Sequence, residues 1–183
     1  LKLFINDYNL ETAYDQNKKL ESLIHWIEEW EKDGITKIDG IGSQMHVTCS
    51  MDPAKQKENE EAYVNMLNLM VGSQKLVRIS ELDMGLEVKK DGKDILVNTT
   101  DMTEEQHKAM RAYYEFIVKK YLEIVPKEQQ WGICQWCATD SPANSGWRPG
   151  LPVGLWDLDY YRKHTYAGFA AGLGAPEYWK EAK

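Results

Sequence analysis

The sequence has no long apolar run and few cysteines. No run approaches the roughly 18 apolar residues that a membrane-spanning helix requires, so no membrane insertion is expected. Two of the three cysteines, Cys134 and Cys137, form a C-x-x-C pair on an apolar run that predicts a strand. Because residues three apart on a strand point to opposite faces, we expect structural thiols rather than a redox or zinc site.

The sequence also has fewer basic than acidic residues. The chain has 22 Lys and Arg against 29 Asp and Glu, a formal net charge of -7 at pH 7. Such a surface repels nucleic acid and anionic membranes, so we expect no nucleic-acid partner. The spacings of a phosphate-binding loop, a metal site and a serine nucleophile elbow are missing too. The chain opens on LKLFIN without an initiator Met or a signal peptide, which favours an excised or mature piece.

Polar aromatic side chains are abundant by contrast. Seven Trp and ten Tyr stand against three Phe. Trp and Tyr offer flat apolar faces with hydrogen-bonding tips, which sugar-binding clefts need, although large α/β cores share this composition. The composition therefore favours carbohydrate binding without excluding a structural role.

Strand and helix patterns alternate along the chain in four successive units. Strands are predicted at residues 1–7, 37–46, 75–83 and 130–137, and helices at residues 15–33, 53–70, 104–125 and 160–171. Helical connections imply a parallel sheet and an α/β fold, in which ligands bind at the carboxyl ends of the strands. A closed barrel of about 250 residues needs eight such units, so we expect a smaller open sheet or half of a barrel.

Local signals refine this pattern. Asp52 followed by Pro53 predicts a helix start, and Thr103 predicts another. The KKDGKD stretch within residues 85–102 indicates a solvated excursion or small hairpin. The first helix is expected to bury one face, formed by Leu20, Leu23, Ile24, Ile27 and Trp30.

The third strand ends in two carboxylates. Glu81 and Asp83 lie two apart in VRISELDMG, which places both on one face of a strand. Acids in a region of low dielectric need partners, and His46, at the end of the preceding strand, is a natural one. An imidazole can hold a proton and orient a nucleophilic carboxylate. The alternative is that Glu81 forms an ordinary ion pair at a rim.

Five further residues are candidates for binding. Gln44 shares the face of His46, and the NDYN stretch offers the Asn6 amide and the Tyr8 phenol at a strand end. A helix cap or a turn is the alternative for NDYN, since Asn and Asp are the usual residues in both. Trp136 and Trp147 flank a loop rich in Gly and Pro, with core packing as the alternative for Trp136.

Four motifs in this order, LFINDYNLE, KIDGIGSQMH, VRISELDM and WCATD…SGW, resemble the second half of glycoside hydrolase family 10, whose members are mainly endo-β-1,4-xylanases. The resemblance implies that residues 1–183 are the C-terminal half of a catalytic domain. Their four βα units would be strands five to eight of a TIM (β/α)8 barrel, with the N-terminal half as partner. It further implies no cofactor, no metal, xylan or xylo-oligosaccharide as substrate, and a secreted, periplasmic or cell-surface location.

The resemblance also assigns roles. Glu81 corresponds to the catalytic nucleophile, His46 to the histidine that hydrogen-bonds it, and Asp83 to the acid behind that histidine. The substrate-binding set is Asn6, Tyr8 on the leaving-group side, Gln44 beside the cleaved sugar, and Trp136 and Trp147 as walls around it.

The sequence departs from the family pattern in three places. SPANSG lengthens the stretch before Trp147, and the usual prolines after Lys163 are missing. The WDVVNE-like motif that carries the acid/base glutamate is also missing, so we expect this fragment alone to be inactive. The alternatives are a non-catalytic carbohydrate-binding remnant and an unrelated α/β protein that binds a small metabolite.

Overall fold

The structure is a computed structural model that describes residues 1–175. Its strands are β1 (Phe4–Asp7), β2 (Gly40–Ser43), β3 (His46–Ser50), β4 (Leu76–Lys90), β5 (Lys93–Leu96) and β6 (Gln130–Gln135). Its α-helices are α1 (Lys18–Glu31), α2 (Pro53–Gly72), α3 (Glu104–Ile124) and α4 (His164–Gly172). The predicted alternation of strands and helices is confirmed, and the short strand β3 is an addition to it.

The sheet is parallel where the sequence predicts it to be. β1 pairs with β2, β2 with β4, and β4 with β6, and all three pairings are parallel. Ser43 at the end of β2 aligns with Asp7 on one side and Ile79 on the other. The ends of β1 and β2 at residues 7 and 43 therefore lie beside residue 79 of β4, which brings the polar side chains that follow these three positions close together.

Two helices begin at the capping residues that the sequence displays. Asp52 accepts hydrogen bonds from backbone N–H groups two and three residues on, and Pro53 opens α2. Before α3, Gln106 N–H donates to Thr103 Oγ1 at 3.3 Å, and Thr103 N–H donates to Gln106 Oε1 at 2.9 Å. This reciprocal capping box satisfies two backbone donors that the first turn would leave without partners.

Three predicted boundaries are wrong. The second strand breaks at Met45, the third runs on to Lys90, and the last helix begins at His164. The long third strand turns back through the left-handed residues 91 and 92 and pairs antiparallel with β5, which confirms the predicted hairpin. The last helix starts late because the Asp157 carboxylate accepts from the N–H groups of residues 159 and 161 and holds a turn there.

Helix α1 buries a narrower face than its pattern predicts. Leu20 and Ile27 are buried, but Trp30 is 44% exposed, so its expected burial is wrong. Trp30 lies in the last turn of α1, one residue before the helix ends. Hydrophobic periodicity predicts which side of the helix a side chain is on. It does not predict whether another element packs against that side at every turn of the helix.

The described residues divide into two compact units. The first comprises Leu1–Val47, Asp52–Asp83 and Lys120–Trp136, and the second comprises Thr48–Met51, Met84–Lys119 and the residues from Cys137 onward. In the first unit the Tyr121 hydroxyl donates to the Val77 carbonyl at 2.8 Å and accepts from two N–H groups of β6. This buried hydroxyl ties β4 to β6.

The second unit contains a buried ion pair. Asp140 is 0% and Lys163 4% exposed at the side chain, and their charged groups are in direct contact. Lys163 Nζ also donates to the carbonyls of Pro152 at 2.9 Å and Gly154 at 3.2 Å. The pair thereby fastens the loop before α4 to the start of that helix.

None of the helices within residues 1–175 has the length and apolar character needed to cross a membrane.

Candidate active site

The site forms where β2 stops and the chain bends before β3. Met45 is buried and adopts the left-handed backbone conformation at φ 64°, which residues other than glycine rarely adopt. Glu81 N–H donates to the Gln44 carbonyl at 3.1 Å, and Asp83 N–H donates to the Met45 carbonyl at 3.3 Å. These two bonds fix the bend against β4, so the residues on either side of Met45 face the carboxylates of that strand.

His46 lies between the two carboxylates. Its Nε2 is 3.5 Å from Glu81 Oε2, and its Nδ1 is 3.2 Å from Asp83 Oδ2. The Glu81 side chain is 22% exposed, whereas that of Asp83 is 0% exposed. The structure thus brings together the three residues that the sequence singles out, with one carboxylate accessible and the other sealed behind the imidazole.

An aromatic wall stands beside the imidazole. The Trp136 ring centroid is 6.2 Å from that of His46, with the planes at 74° in an edge-on arrangement. Trp136 N–H donates to the Leu82 carbonyl at 2.9 Å, which places the residue at the end of β6 next to β4. Trp136 is 53% exposed, so it is a surface residue and not a core residue of the first unit.

The Asn6 amide is held by the neighbouring strands. Ser80 Oγ donates to Asn6 Oδ1 at 2.7 Å. A Cβ at Gly42 would lie 2.3 Å from the same oxygen, so only glycine leaves room for this amide. With Oδ1 occupied by Ser80, the amide presents Nδ2 as its available donor.

Gln44 and Tyr8 directly follow β2 and β1. Gln44 is half-buried, and its backbone N–H donates to the Asp7 carbonyl at 2.9 Å. Tyr8, directly after β1, is 55% exposed. The first unit therefore holds seven of the eight predicted site residues.

Trp147 belongs to the second unit. Its carbonyl accepts from the hydroxyls of Ser141 and Ser145, both at 2.9 Å, and its ring is 40% exposed. The two serines of the SPANSG stretch therefore hold the Trp147 backbone.

The sequence analysis missed a buried acid. Glu11 is 7% exposed, and Ser43 Oγ donates to its Oε2 at 2.9 Å. Burial raises the pKa of Glu11, an effect opposed by its hydrogen bonds and by the charges of His46 and Lys19. Its only sequence signal is its place at the end of the NDYNLE stretch.

Within residues 1–175, no three His, Cys, Asp or Glu side chains are arranged to hold a metal ion. The chemistry available to the described site is that of a carboxylate, an imidazole, amides and aromatic faces.

Comparison with known proteins identifies relatives along most of the chain. Residues 1–171 match the family model of glycosyl hydrolase family 10. Endo-beta-1,4-xylanase Xyn10C of Cellvibrio japonicus is 30% identical over 194 residues, covering 93% of this chain and 28% of that protein. Endo-1,4-beta-xylanase B of Humicola insolens is 26% identical over 182 residues, covering 96% of this chain and 45% of that protein.

Solved structures agree with these relatives. A thermostable mutant of the xylanase Xyn10A from Cellvibrio japonicus matches with a TM-score of 0.72 at 26% identity, covering 96% of this chain and 50% of that one. A mutant of xylanase 10C from the same organism, in complex with xylopentaose, matches with a TM-score of 0.70 at 27% identity, covering 96% of this chain and 34% of that one.

This chain therefore spans half or less of the length of these relatives and structures. An unrelated α/β protein is excluded, because the family match runs over 171 of the 183 residues. The chain belongs to glycosyl hydrolase family 10.

Proposed function

We propose that residues 1–183 are the C-terminal half of the catalytic domain of a retaining endo-β-1,4-xylanase. The parallel strands β1, β2, β4 and β6 would be the fifth to eighth strands of a (β/α)8 barrel. Support comes from family membership, from the xylanases among its relatives, and from the neighbour order of these strands. The partner would be the N-terminal half of the barrel, and the substrate xylan or a xylo-oligosaccharide.

The observation that carries the proposal is the position of His46 between an accessible and a buried carboxylate. A nucleophile must reach the substrate, which favours Glu81 at 22% exposure over Asp83 at 0%. His46 would hold the Glu81 carboxylate in line, and Asp83 would hold the imidazole from behind. His46 and Asp83 would therefore be positioning residues, which act through the His46–Glu81 and His46–Asp83 contacts.

The chemistry would proceed in two balanced steps. A Glu81 oxygen bonds to the anomeric carbon while the glycosidic C–O bond breaks, and the leaving oxygen takes a proton from an acid/base carboxyl. Water then bonds to the same carbon, gives a proton to that carboxylate, and breaks the bond to Glu81. Configuration is retained because the carbon is inverted twice.

Substrate contacts would come from five further residues. Asn6 and Tyr8 would bind substrate from the end of β1, with Tyr8 on the leaving-group side, and Gln44 would lie beside the cleaved sugar. Trp136, whose ring centroid is 6.2 Å from that of His46, would supply an aromatic wall. The family resemblance gives Trp147 a similar role.

The second carboxyl would come from outside this chain. Retaining hydrolysis needs the acid/base group about 5–5.5 Å from the nucleophile. Asp83 is fully buried against His46 and is engaged there. We therefore propose that this fragment alone is inactive, and that the intact protein is secreted, periplasmic or at the cell surface, where xylan is met.

The test is hydrolysis of xylan by the intact protein carrying Glu81→Gln. Loss of the nucleophile should lower turnover by at least about 10³-fold, since a covalent step is removed. Glu61→Gln is the matched control, because Glu61 is an exposed acid on α2 whose carboxylate lies 3.6 Å from Lys57 Nζ at the surface. Full turnover by Glu81→Gln would overturn the nucleophile assignment. An inactive wild type that still binds xylopentaose would favour the carbohydrate-binding remnant.

A further inference from the structure

Lys19 makes three contacts around Tyr8. Its Nζ lies 3.7 Å from the centroid of the Tyr8 ring, 2.6 Å from the Tyr8 carbonyl oxygen and 2.9 Å from Asp7 Oδ1. The same carboxylate oxygen of Asp7 accepts the Tyr8 N–H at 2.8 Å. The ammonium is therefore bound to the ring, the backbone and the preceding acid at once.

This arrangement leaves one face of the Tyr8 ring for a ligand, because Lys19 covers the other. The side chain is 55% exposed, yet the ammonium occupies one face. An exposed tyrosine without such a partner has rotamer freedom to lose on binding, which weakens a stacking contact. The Lys19 ammonium over the ring, and its hydrogen bonds to the Tyr8 carbonyl and to Asp7, reduce that loss of rotamer freedom.

Lys19 owes its position to the start of α1. Residues 16 and 17 are both left-handed, at φ 56° and 59°, and the helix begins immediately after them. The buried Asn17 side chain donates to the Leu10 carbonyl at 2.8 Å, which fixes this turn. Lys19 is therefore half-buried over the end of β1, whereas its neighbour Lys18 is exposed.

We propose that Lys19 is a positioning residue that fixes Tyr8 as a one-faced platform for a sugar on the leaving-group side. The proposal rests on the proposed xylanase function and deepens it. Flat apolar sugar faces pack on aromatic rings, so a ring held in one orientation favours chains that extend beyond the cleaved bond. Lys19 would then affect long substrates and spare those that end at the cleaved bond.

The experiment compares two substrates in the intact protein. Xylohexaose carries sugars on the leaving-group side, while xylobiosyl fluoride leaves only a fluoride ion and cannot reach Tyr8. For Lys19→Met, KM for xylohexaose should rise about 2- to 5-fold, the range that an exposed cation–π contact supports. The kcat value and all constants for xylobiosyl fluoride should stay unchanged.

Two further variants separate positioning from general effects. Lys18→Met removes the same charge one residue away and should behave as wild type. Lys19→Arg retains a cation that can stack on the ring and pair with Asp7, so it should restore most of the lost affinity.

Equal losses on both substrates, or a melting temperature that falls without a selective rise in KM, would overturn the proposal and leave a structural role for Lys19. No difference between Lys19→Met and Lys18→Met would overturn it as well. A wild type that neither cleaves nor binds xylohexaose would instead overturn the proposed function, and the Lys19 proposal with it.

Discussion

Burial distinguishes, at the residue scale, acids that look alike in the sequence. Glu81 is accessible, Asp83 is sealed behind His46, and Glu11 is buried against Ser43. A carboxylate in each setting can do something different: attack a substrate, hold an imidazole, or anchor a strand end. Under the proposed function, the same functional group would serve three purposes in three settings.

The buried Glu11 makes stability depend on pH. Its pKa is raised above the ordinary 4.5 by burial, so the folded state binds this proton more tightly than the unfolded state does. Stability from this group is therefore full below pH 4.5 and is lost as pH rises through the folded-state pKa. Glu11→Gln removes the titration and keeps an acceptor for Ser43, so its disadvantage relative to wild type should shrink or reverse between pH 4 and about pH 7.

Chemical denaturation of the intact protein over that pH range measures the effect. Glu61→Gln, on the exposed face of α2, is the matched control for removing a carboxylate. A Glu11→Gln difference that stays constant from pH 4 to about pH 7 would contradict the raised pKa.

The predicted site shows what single-residue patterns can and cannot reveal. Glu81 and Asp83 could be placed on one face because strand periodicity is strict, and both do contact His46. Lys19 and Glu11 could not be foreseen. Their positions depend on the two left-handed residues before α1 and on contacts across the sheet, which no local pattern encodes.

At the scale of helices and strands, element boundaries could be predicted where they depend on residues close together in the sequence. The capping residues Asp52 and Thr103 start α2 and α3 as predicted, because side chain and backbone donor are three residues apart or fewer. The break between β2 and β3 has no such signal. It depends on Met45 being forced into a left-handed conformation by bonds to β4.

Helix α4 and the loop before it depend on the Asp140–Lys163 pair. Burial lowers the pKa of Lys163, and the Asp140 carboxylate opposes that effect. Lys163→Met would leave a buried acid without its cation, and should cost about 3–5 kcal/mol of the free energy of unfolding. Denaturant unfolding of the intact protein measures the loss.

A surface pair provides the control for this prediction. Lys108 and Glu104 lie 3.2 Å apart with both side chains 63% exposed, so Lys108→Met should cost less than about 1 kcal/mol. Similar costs for Lys163→Met and Lys108→Met would show that the buried pair does not hold the loop.

At the scale of the whole molecule, this chain spans only part of the length of its relatives. It covers 50% of the chain of one solved xylanase and 28% of the length of Xyn10C of Cellvibrio japonicus. In the first unit, the large apolar side chains of Leu3 and Trp131 are about half exposed near the two outer parallel strands. The proposal of a barrel half predicts that further strands cover these surfaces.

The chain by itself should therefore fail to hydrolyse xylan. We expect release of reducing sugar from xylan by the intact protein and none above background from residues 1–183, because the acid/base carboxyl would be missing. Binding of xylopentaose to each sample serves as the control for a folded cleft. Turnover by the isolated chain at a rate near that of the intact protein would place the acid/base group within it.

The central claim is that Glu81 forms the covalent bond to sugar. The most direct measurement is mass spectrometry of the intact protein after reaction with a 2-deoxy-2-fluoroxylobioside that carries a good leaving group. The fluorine disfavours the positively charged transition state of both steps, and the activated leaving group lets the first step outrun the second. We predict a stable adduct on the peptide that contains Glu81. An adduct on Asp83 or on any other acid, with Glu81 unmodified, would contradict the assignment.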